Sequence, residues 1–340
     1  MDIEQISLTE WREKLPSSGV EVFHDPDALS VLADHTDAEL RLFGGYKGDQ
    51  AVALLPVFVS ERRVGRAVFS PLPDLGVPRL GPILDPNSPK KRKHERVNRR
   101  FTEGVIDALD LHDRTTLCRM ICPVSYDDPR PFGWNDHQVS THFTYVVDLD
   151  KPSVDDVLRS FSKSLRREMR KRDELDLTVE REDVTGAMEV YGHVIERYEE
   201  QDESVPMSHD YVRDLVETLD DDRCRVYVAR APDGEYLSGI IALFSNDMAY
   251  FWSGGAVASY ENVSVNTLIH QAIIEDVMTD PELDSVTKYD LMGANTERLC
   301  GYKAKFGGEL VPYYTVESAG PEMTLAKSAY RLLSTASGKM

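Results

Sequence analysis

Two trios of short β-biased runs set what this chain can fold into. Leu40–Gly45, Gln50–Val59 and Ala67–Ser70 follow one another with only turns between them. Arg225–Ala231, Tyr236–Phe244 and Met248–Gly254 repeat the pattern, joined by Pro232-Asp-Gly and Ser245-Asn-Asp. Strands linked this tightly pair antiparallel, because a parallel pair needs a crossover of a dozen or more residues. Helical spacing precedes each trio (Asp25–Asp34; Asp183–Glu199 and the run after the Ser208 cap) and follows it. The following helix of the first trio starts at Ser88-Pro89 and runs to about His112, with Val97, Phe101, Val105 and Ala108 as its buried stripe. That of the second trio covers Ser264–Met278. Further strands come next, at Thr115–Cys122 and Gln138–Leu149 in one half and Ser285–Leu291 and Pro312–Val316 in the other. Element order recurs without visible identity, which predicts two copies of one α/β (α+β) unit, each a mixed sheet flanked by helices. The expected division lies near Asp150: residues 1–150, residues 151–317, and a tail 318–340 with a short apolar helix around Leu325–Leu333. The Pro- and Gly-dense stretch Ser70–Pro86 excludes helix and reads as an ordered loop, either lining a cleft or connecting elements.

A chain of 340 residues with 41% hydrophobic content is long enough for two cores of ordinary size. No apolar run approaches the roughly 20 residues of a membrane helix, and the acidic start MDIEQISLTEWREK lacks an apolar signal core. The expectation is a soluble, cytoplasmic protein without integral membrane association. Cys118, Cys122, Cys224 and Cys300 show no CxxC spacing or histidine partners and are expected to be buried free thiols rather than metal ligands.

Net charge is −20, and the cations are 13 lysines and 26 arginines. Such a carboxylate-rich surface suits a salt-rich cytoplasm, the pattern of a halophilic, acidic proteome. Two segments break it. Lys90–Arg100 carries seven positive residues against one Glu, and Ser160–Arg172 carries six against one Glu. The first occupies the opening turns of a helix, where the macrodipole disfavours cations, so helix stability does not account for it. The second lies on a helix expected to begin at the Ser153-Val-Asp-Asp156 capping box. Its stripe of Val154, Val157, Leu158, Phe161, Leu165 and Met169 faces inward and leaves Lys163, Arg166, Arg167 and Arg170 on the opposite side. That side is either an anion-binding face or a solvated face paired with nearby carboxylates.

Asp284–Val316 reads as strand, short helix, strand. Tyr302-Lys-Ala-Lys-Phe-Gly-Gly308 on the middle element sets two ammonium groups beside exposed backbone. Such a cation suits an anion or a developing oxyanion, and equally a helix C-terminus with a glycine cap. Asp290 can fix the turn after its strand, and Tyr302 can be a packed ring.

The pairing of Tyr289-Asp-Leu-Met-Gly-Ala-Asn295 with Lys303 ahead of Phe306-Gly307, downstream of the Arg-rich helix Ser162–Arg172, resembles the Fem-type peptidoglycan-bridge aminoacyltransferase superfamily, which carries the GNAT acyltransferase fold. The resemblance implies tandem GNAT-like domains and acyl or aminoacyl transfer to an amine or hydroxyl. It implies Lys303 as oxyanion donor, Asp290 and Tyr302 as proton-handling residues, and Lys163, Arg166, Arg167 and Arg170 as contacts to a phosphate-bearing substrate. No permanently bound cofactor is implied. The donor would be acyl-CoA or aminoacyl-tRNA, and the acceptor a small-molecule or nucleotide-linked amine. A noncatalytic tRNA- or nucleotide-sugar-binding protein of the same fold is the competing expectation. The usual coenzyme A signature occurs only as Arg62-Arg-Val-Gly65-Arg-Ala67, in a turn between strands, where it is discounted; the second half offers Ser253-Gly-Gly-Ala256 before a helix. Net charge and the absence of aromatics interleaved among the cations of either basic run disfavour a nonspecific nucleic-acid binder.

Overall fold

The computed structural model describes residues 1–61, 65–86, 88–203, 205, 207–255 and 258–320. The chain forms two compact units, one of Met1–His142 together with the segment from Pro312 onward, the other of Phe143–Val311.

In the first unit, β1 (Asp2–Ile6) leads to α1 (Leu8–Lys14) and α2 (Pro26–Asp34). Ser7 and Glu10 form a reciprocal capping box on α1, and Asp25 caps α2 with Pro26 in its first turn. Then come β2 (Glu39–Lys47), β3 (Gln50–Glu61), β4 (Arg66–Ser70) and the short β5 (Ile83–Leu84). The expected meander is present, with β2, β3 and β4 pairing antiparallel, and β1 extends it on the outer side of β2. β3 is buried along most of its length because elements cover both faces of the sheet. α3 (Lys91–Ala108) packs Phe101, Val105 and Ile106 against Phe43, Leu55, Val57 and Met120; burying side chains of this size stabilises by about 1.5–3 kcal/mol each. Its buried stripe differs from the expected one, since Ala108 is exposed and Asn98, Thr102 and Ile106 face inward. Pro89 lies outside the helix, which Lys90 precedes without a side-chain cap. β6 (Thr116–Ile121) runs parallel to β4, the short α4 (Arg130–Trp134) follows, and β7 (His137–Asp148) begins here.

The Pro-rich loop is ordered by buried polar anchors. Ser70 Oγ donates to the Pro56 carbonyl at 2.6 Å and accepts from Gly81 N at 2.9 Å. Arg79 forms a fully buried ion pair with Glu21, Nε to Oε1 3.0 Å.

In the second unit, α5 (Val154–Arg159) and α6 (Lys163–Met169) replace the single helix that the apolar spacing predicts. Val157, Phe161, Leu165 and Met169 do share one buried face. β8 (Thr178–Glu182), α7 (Val184–Glu200) and α8 (His209–Thr218) lead to the second meander, β9 (Cys224–Arg230), β10 (Tyr236–Phe244) and β11 (Met248–Gly254). A minor hairpin, β12 (Ser259–Tyr260) and β13 (Val263–Ser264), precedes α9 (Val265–Thr279). β14 (Lys288–Asp290), α10 (Glu297–Lys303) and β15 (Glu309–Ser318) complete the order. β8 to β11 pair antiparallel in sequence order, β11 runs parallel to β14, and β14 is antiparallel to residues 146–148 of β7. The core joins Tyr227, Ile240, Phe244, Val265, Ile269 and Ile273.

The units therefore divide at His142 rather than near Asp150, and the end of β15 returns to the first unit, where Thr315–Glu317 pairs with Arg119–Ile121 of β6. The expected tail helix at 325–333 lies outside the described residues. All four cysteines are free; three are buried as expected and Cys300 is half-buried, its thiol donating to the Ala294 carbonyl. Among the described residues no helix is long and apolar enough to cross a membrane.

Candidate active site

Residues after α10 are knitted to the junction of α5 and α6. Ser162 interrupts the helix by turning its backbone N–H to the Lys305 carbonyl at 2.7 Å, and its hydroxyl then caps α6. Gly307 ends the turn Ala304–Phe306 with φ 63°, and a Cβ there would stand 2.3 Å from the Ser160 carbonyl oxygen, so a side chain is excluded twice over. Phe306 meets Phe161 edge to face at 5.3 Å. The two segments singled out in the sequence, the Arg-rich helix and the lysine-glycine stretch, thus form one substructure.

This packing fixes Lys303 at the end of α10. Its side chain is only 6% exposed. Nζ donates to the carbonyls of Met292 and, at 3.2 Å, Gly293, and lies 5.8 Å from the Phe251 ring centroid. Both carbonyls belong to a loop with left-handed backbone at Met292 (φ 57°) and Gly293 (φ 75°). Asp290 holds that loop: its Oδ1 accepts from Met292 N at 2.7 Å and from the Thr144 hydroxyl at 2.5 Å, and Thr144 Oγ1 in turn accepts from Gly293 N at 3.1 Å. Burial pushes the Lys303 ammonium down to about 8, while the charge of Asp290 pulls the other way. The ammonium is thus mostly charged at neutral pH, desolvated, and has a third N–H beyond the two carbonyl bonds.

Tyr302, next to it, packs on Phe306 at 5.4 Å. Its hydroxyl is buried and makes no hydrogen bond among the described residues, and burial pushes its pKa up, which keeps it a neutral phenol. Asp290 is fully buried and occupied by the turn.

His270 was not singled out from the sequence. It is buried on α9, hydrogen-bonded through Nδ1 to the Tyr289 hydroxyl at 2.7 Å, with Phe251 and Phe306 edge-on at 5.0 and 4.9 Å. Burial, then the nearby Lys303 charge, pushes it down to about 3, so the imidazole is neutral. The available signal was a lone polar ring on the apolar stripe of α9.

On α6, Lys163, Arg167 and Arg170 are exposed and Arg166 is half-buried with an unpartnered Nε. Among the described residues none of the four has a carboxylate within ion-pair distance, whereas the flanking Arg159 pairs with Asp156 and Arg172 with Glu275. The solvated-face alternative of compensating carboxylates is therefore realised at the flanks and not on this face.

The start of α9 is a further place without a compensating charge. Ser264 gives it no side-chain cap and its first turn holds no acid. Gly254 (φ 106°) approaches within 2.3 Å, measured from a notional Cβ, of the Gly239 carbonyl oxygen, and Gly255 N donates to that oxygen at 2.8 Å. Ala256, and residues 62–64 of the discounted Arg62 string, lie outside the described residues. The second unit thus has a helix start without a side-chain cap and, on α6, a row of cations without carboxylate partners among the described residues.

Residues 159–304, from the end of α5 to just past Lys303, match a family model described as an acetyltransferase (GNAT) domain. No characterised protein is similar enough in sequence to count as a relative. Among solved structures the chain is similar to FemX, with a TM-score of 0.67 at 12% identity over 98% of this chain and 100% of that one. It is also similar to the C-terminal domain of a putative lysylphosphatidylglycerol synthetase from Agrobacterium fabrum, TM-score 0.55 at 13% identity over 96% and 98%. L-PGS from Bacillus licheniformis follows, TM-score 0.51 at 12% identity over 94% of both chains. At these identities the structural likeness concerns the fold alone, mixed sheets flanked by helices, with the GNAT match confined to residues 159–304. A region similar to an acetyltransferase (GNAT) domain thus surrounds Lys303, in a chain whose fold is similar to that of FemX.

Proposed function

We propose that this chain is an acyltransferase that moves an acyl or aminoacyl group from a phosphate-bearing donor, acyl-CoA or aminoacyl-tRNA, to an amine or hydroxyl, with Lys303 binding the carbonyl oxygen as it becomes an oxyanion. The carrying observation is the desolvated Lys303 ammonium, anchored on the Met292 and Gly293 carbonyls with an N–H left over. A preorganised cation in a dry site stabilises developing negative charge far better than one in water. The acceptor nitrogen attacks the thioester or ester carbonyl and a C–N bond forms. The C–S or C–O bond then breaks, and the thiol or hydroxyl departs with the proton lost by the amine. Asp290 serves as a positioning residue, since its oxygen fixes the loop that orients Lys303. Tyr302, neutral and unpartnered, is the group assigned to proton transfer. Lys163, Arg166, Arg167 and Arg170 receive donor phosphates, and the acceptor is a small or nucleotide-linked molecule.

Transfer from acetyl-CoA and from aminoacyl-tRNA, assayed with a panel of amines, tests this reading. Lys303→Ala is expected to lower kcat about 100-fold or more with donor affinity retained. Arg166→Glu/Arg167→Glu is expected to weaken donor binding and flatten its salt dependence. Wild-type turnover in the lysine variant removes Lys303 from the chemistry. If a donor raises the melting temperature but is not consumed, the binding-protein alternative stands instead, and if neither donor does either, the proposed donors are wrong.

A further inference from the structure

The basic opening of α3 belongs to the first unit and takes no part in the chemistry above. Lys90 to Arg96 are exposed on every side of the helix, so this end projects from the body instead of lying along it. Among the described residues, Lys90, Lys91, Arg92, Lys93, Arg96 and Arg100 have no carboxylate within ion-pair distance, although the chain as a whole carries −20. Apart from the Arg99–Glu103 pair along its own length, α3 ties down an aromatic neighbour. Glu95 accepts from Arg130 at 3.0 Å, Asp128 accepts from the same guanidinium at 2.6 Å, and Asn98 holds the Asp128 carbonyl at 2.7 Å. Arg130 lies over the ring of Trp134 at 5.6 Å, and Trp134 is 60% exposed, the most exposed large hydrophobic residue among those described.

We propose that the basic end of α3 and Trp134 form a docking surface for a bilayer rich in anionic lipid. Clustered Lys and Arg are drawn to the negative headgroup layer, and a tryptophan rooted beside them has the amphipathic ring that settles at that depth. Single-stranded nucleic acid is matched less well. Its sites are grooves that track the backbone with several stacking aromatics, whereas here the cations surround a protruding tip with one aromatic at its base.

The test is sedimentation of the full chain with vesicles of 30% phosphatidylglycerol in phosphatidylcholine, against vesicles of phosphatidylcholine alone. The expected result is binding to the anionic vesicles only, lost on raising salt to 0.5 M. Lys91→Glu/Arg92→Glu/Lys93→Glu is expected to weaken it at least about tenfold, and Trp134→Ala several-fold. The three glutamates sit where the helix dipole favours them, and an unchanged melting temperature checks that the fold is kept. Three results overturn the proposal: no binding to anionic vesicles in low salt, equal binding by the charge-reversed variant, or retardation of a single-stranded RNA by the same cations in a chain that ignores vesicles.

Discussion

Lys303 combines two roles that oppose each other energetically. Holding an ammonium in a buried site is unfavourable, and its lowered pKa measures by how much. The unfolded chain binds this proton up to pH near 10.5, the folded chain only to about 8. Between those values the unfolded state carries the extra proton, so stability rises with pH through that window and the penalty, on the order of 3 kcal/mol, is fully present below pH 8. Lys303→Met removes the buried charge and also strands the Met292 and Gly293 carbonyls, a loss of about 1–3 kcal/mol. The two effects nearly offset. Urea unfolding is therefore expected to place the variant within about 2 kcal/mol of wild type at pH 7, with a smaller gain on going to pH 10, alongside a loss of turnover. A variant that keeps the full wild-type gain shows that some other group titrates. The stretch around Lys303 stands out in the sequence because two lysines lie beside Gly-Gly, while the choice of Lys303 within it comes from the family resemblance. Its partners are less legible: the sequence leaves Asp290 as a turn anchor or a proton carrier and gives no sign of Thr144 beside it, and His270 is hidden within an apolar helical stripe.

At the scale of elements, the instructive departure is the break between α5 and α6. Val157, Phe161, Leu165 and Met169 recur every four residues, so local periodicity predicts one helix straight through. Ser160 and Ser162 leave the helix because the acceptor for Ser162 N–H is the Lys305 carbonyl, more than a hundred residues away, and the spacing of side chains carries no trace of such a partner. β1, α1, β8 and α4 were likewise not drawn from the sequence, being short runs whose order depends on neighbours or caps. The break can be probed from the glycine that fits against it. Gly307→Ala places a methyl 2.3 Å from the Ser160 carbonyl oxygen at a φ of 63°, and is expected to destabilise by about 1–3 kcal/mol. Gly301→Ala, in α10 with nothing within 4 Å of its notional Cβ, is the control and is expected to be neutral or slightly stabilising. Differential scanning fluorimetry separates them; equal melting temperatures mean the turn relaxes around the methyl and does not hold the junction.

For the whole molecule, element order correctly gave two α/β units, while their limits did not follow from it. The reason is the long-range pairing of Thr315 with Ile121, which returns the last strand to the first unit through a register that no local pattern encodes. Charge, by contrast, is fully legible. A formal −20 arises from 59 acids against 39 bases, and several ion pairs among the described residues are exposed, such as Arg12 with Asp27 and Arg99 with Glu103. Exposed pairs contribute at most about 1 kcal/mol each and are screened along with everything else at the surface. The Arg225 guanidinium, buried and shared by Asp276, Asp280 and Glu282, is screened much less. Added salt should therefore relieve self-repulsion among carboxylates more than it weakens the pairs that matter. Raising KCl from 0.05 to 1 M shortens the Debye length from about 14 to about 3 Å, and the melting temperature is expected to rise by several degrees over the lower part of that range and then level off. Sucrose of equal osmolality is expected to reproduce little of the early rise, because it is excluded from the surface without screening charge. A melting temperature that falls with KCl means the exposed pairs outweigh the repulsion, and the acidic surface then serves solubility alone.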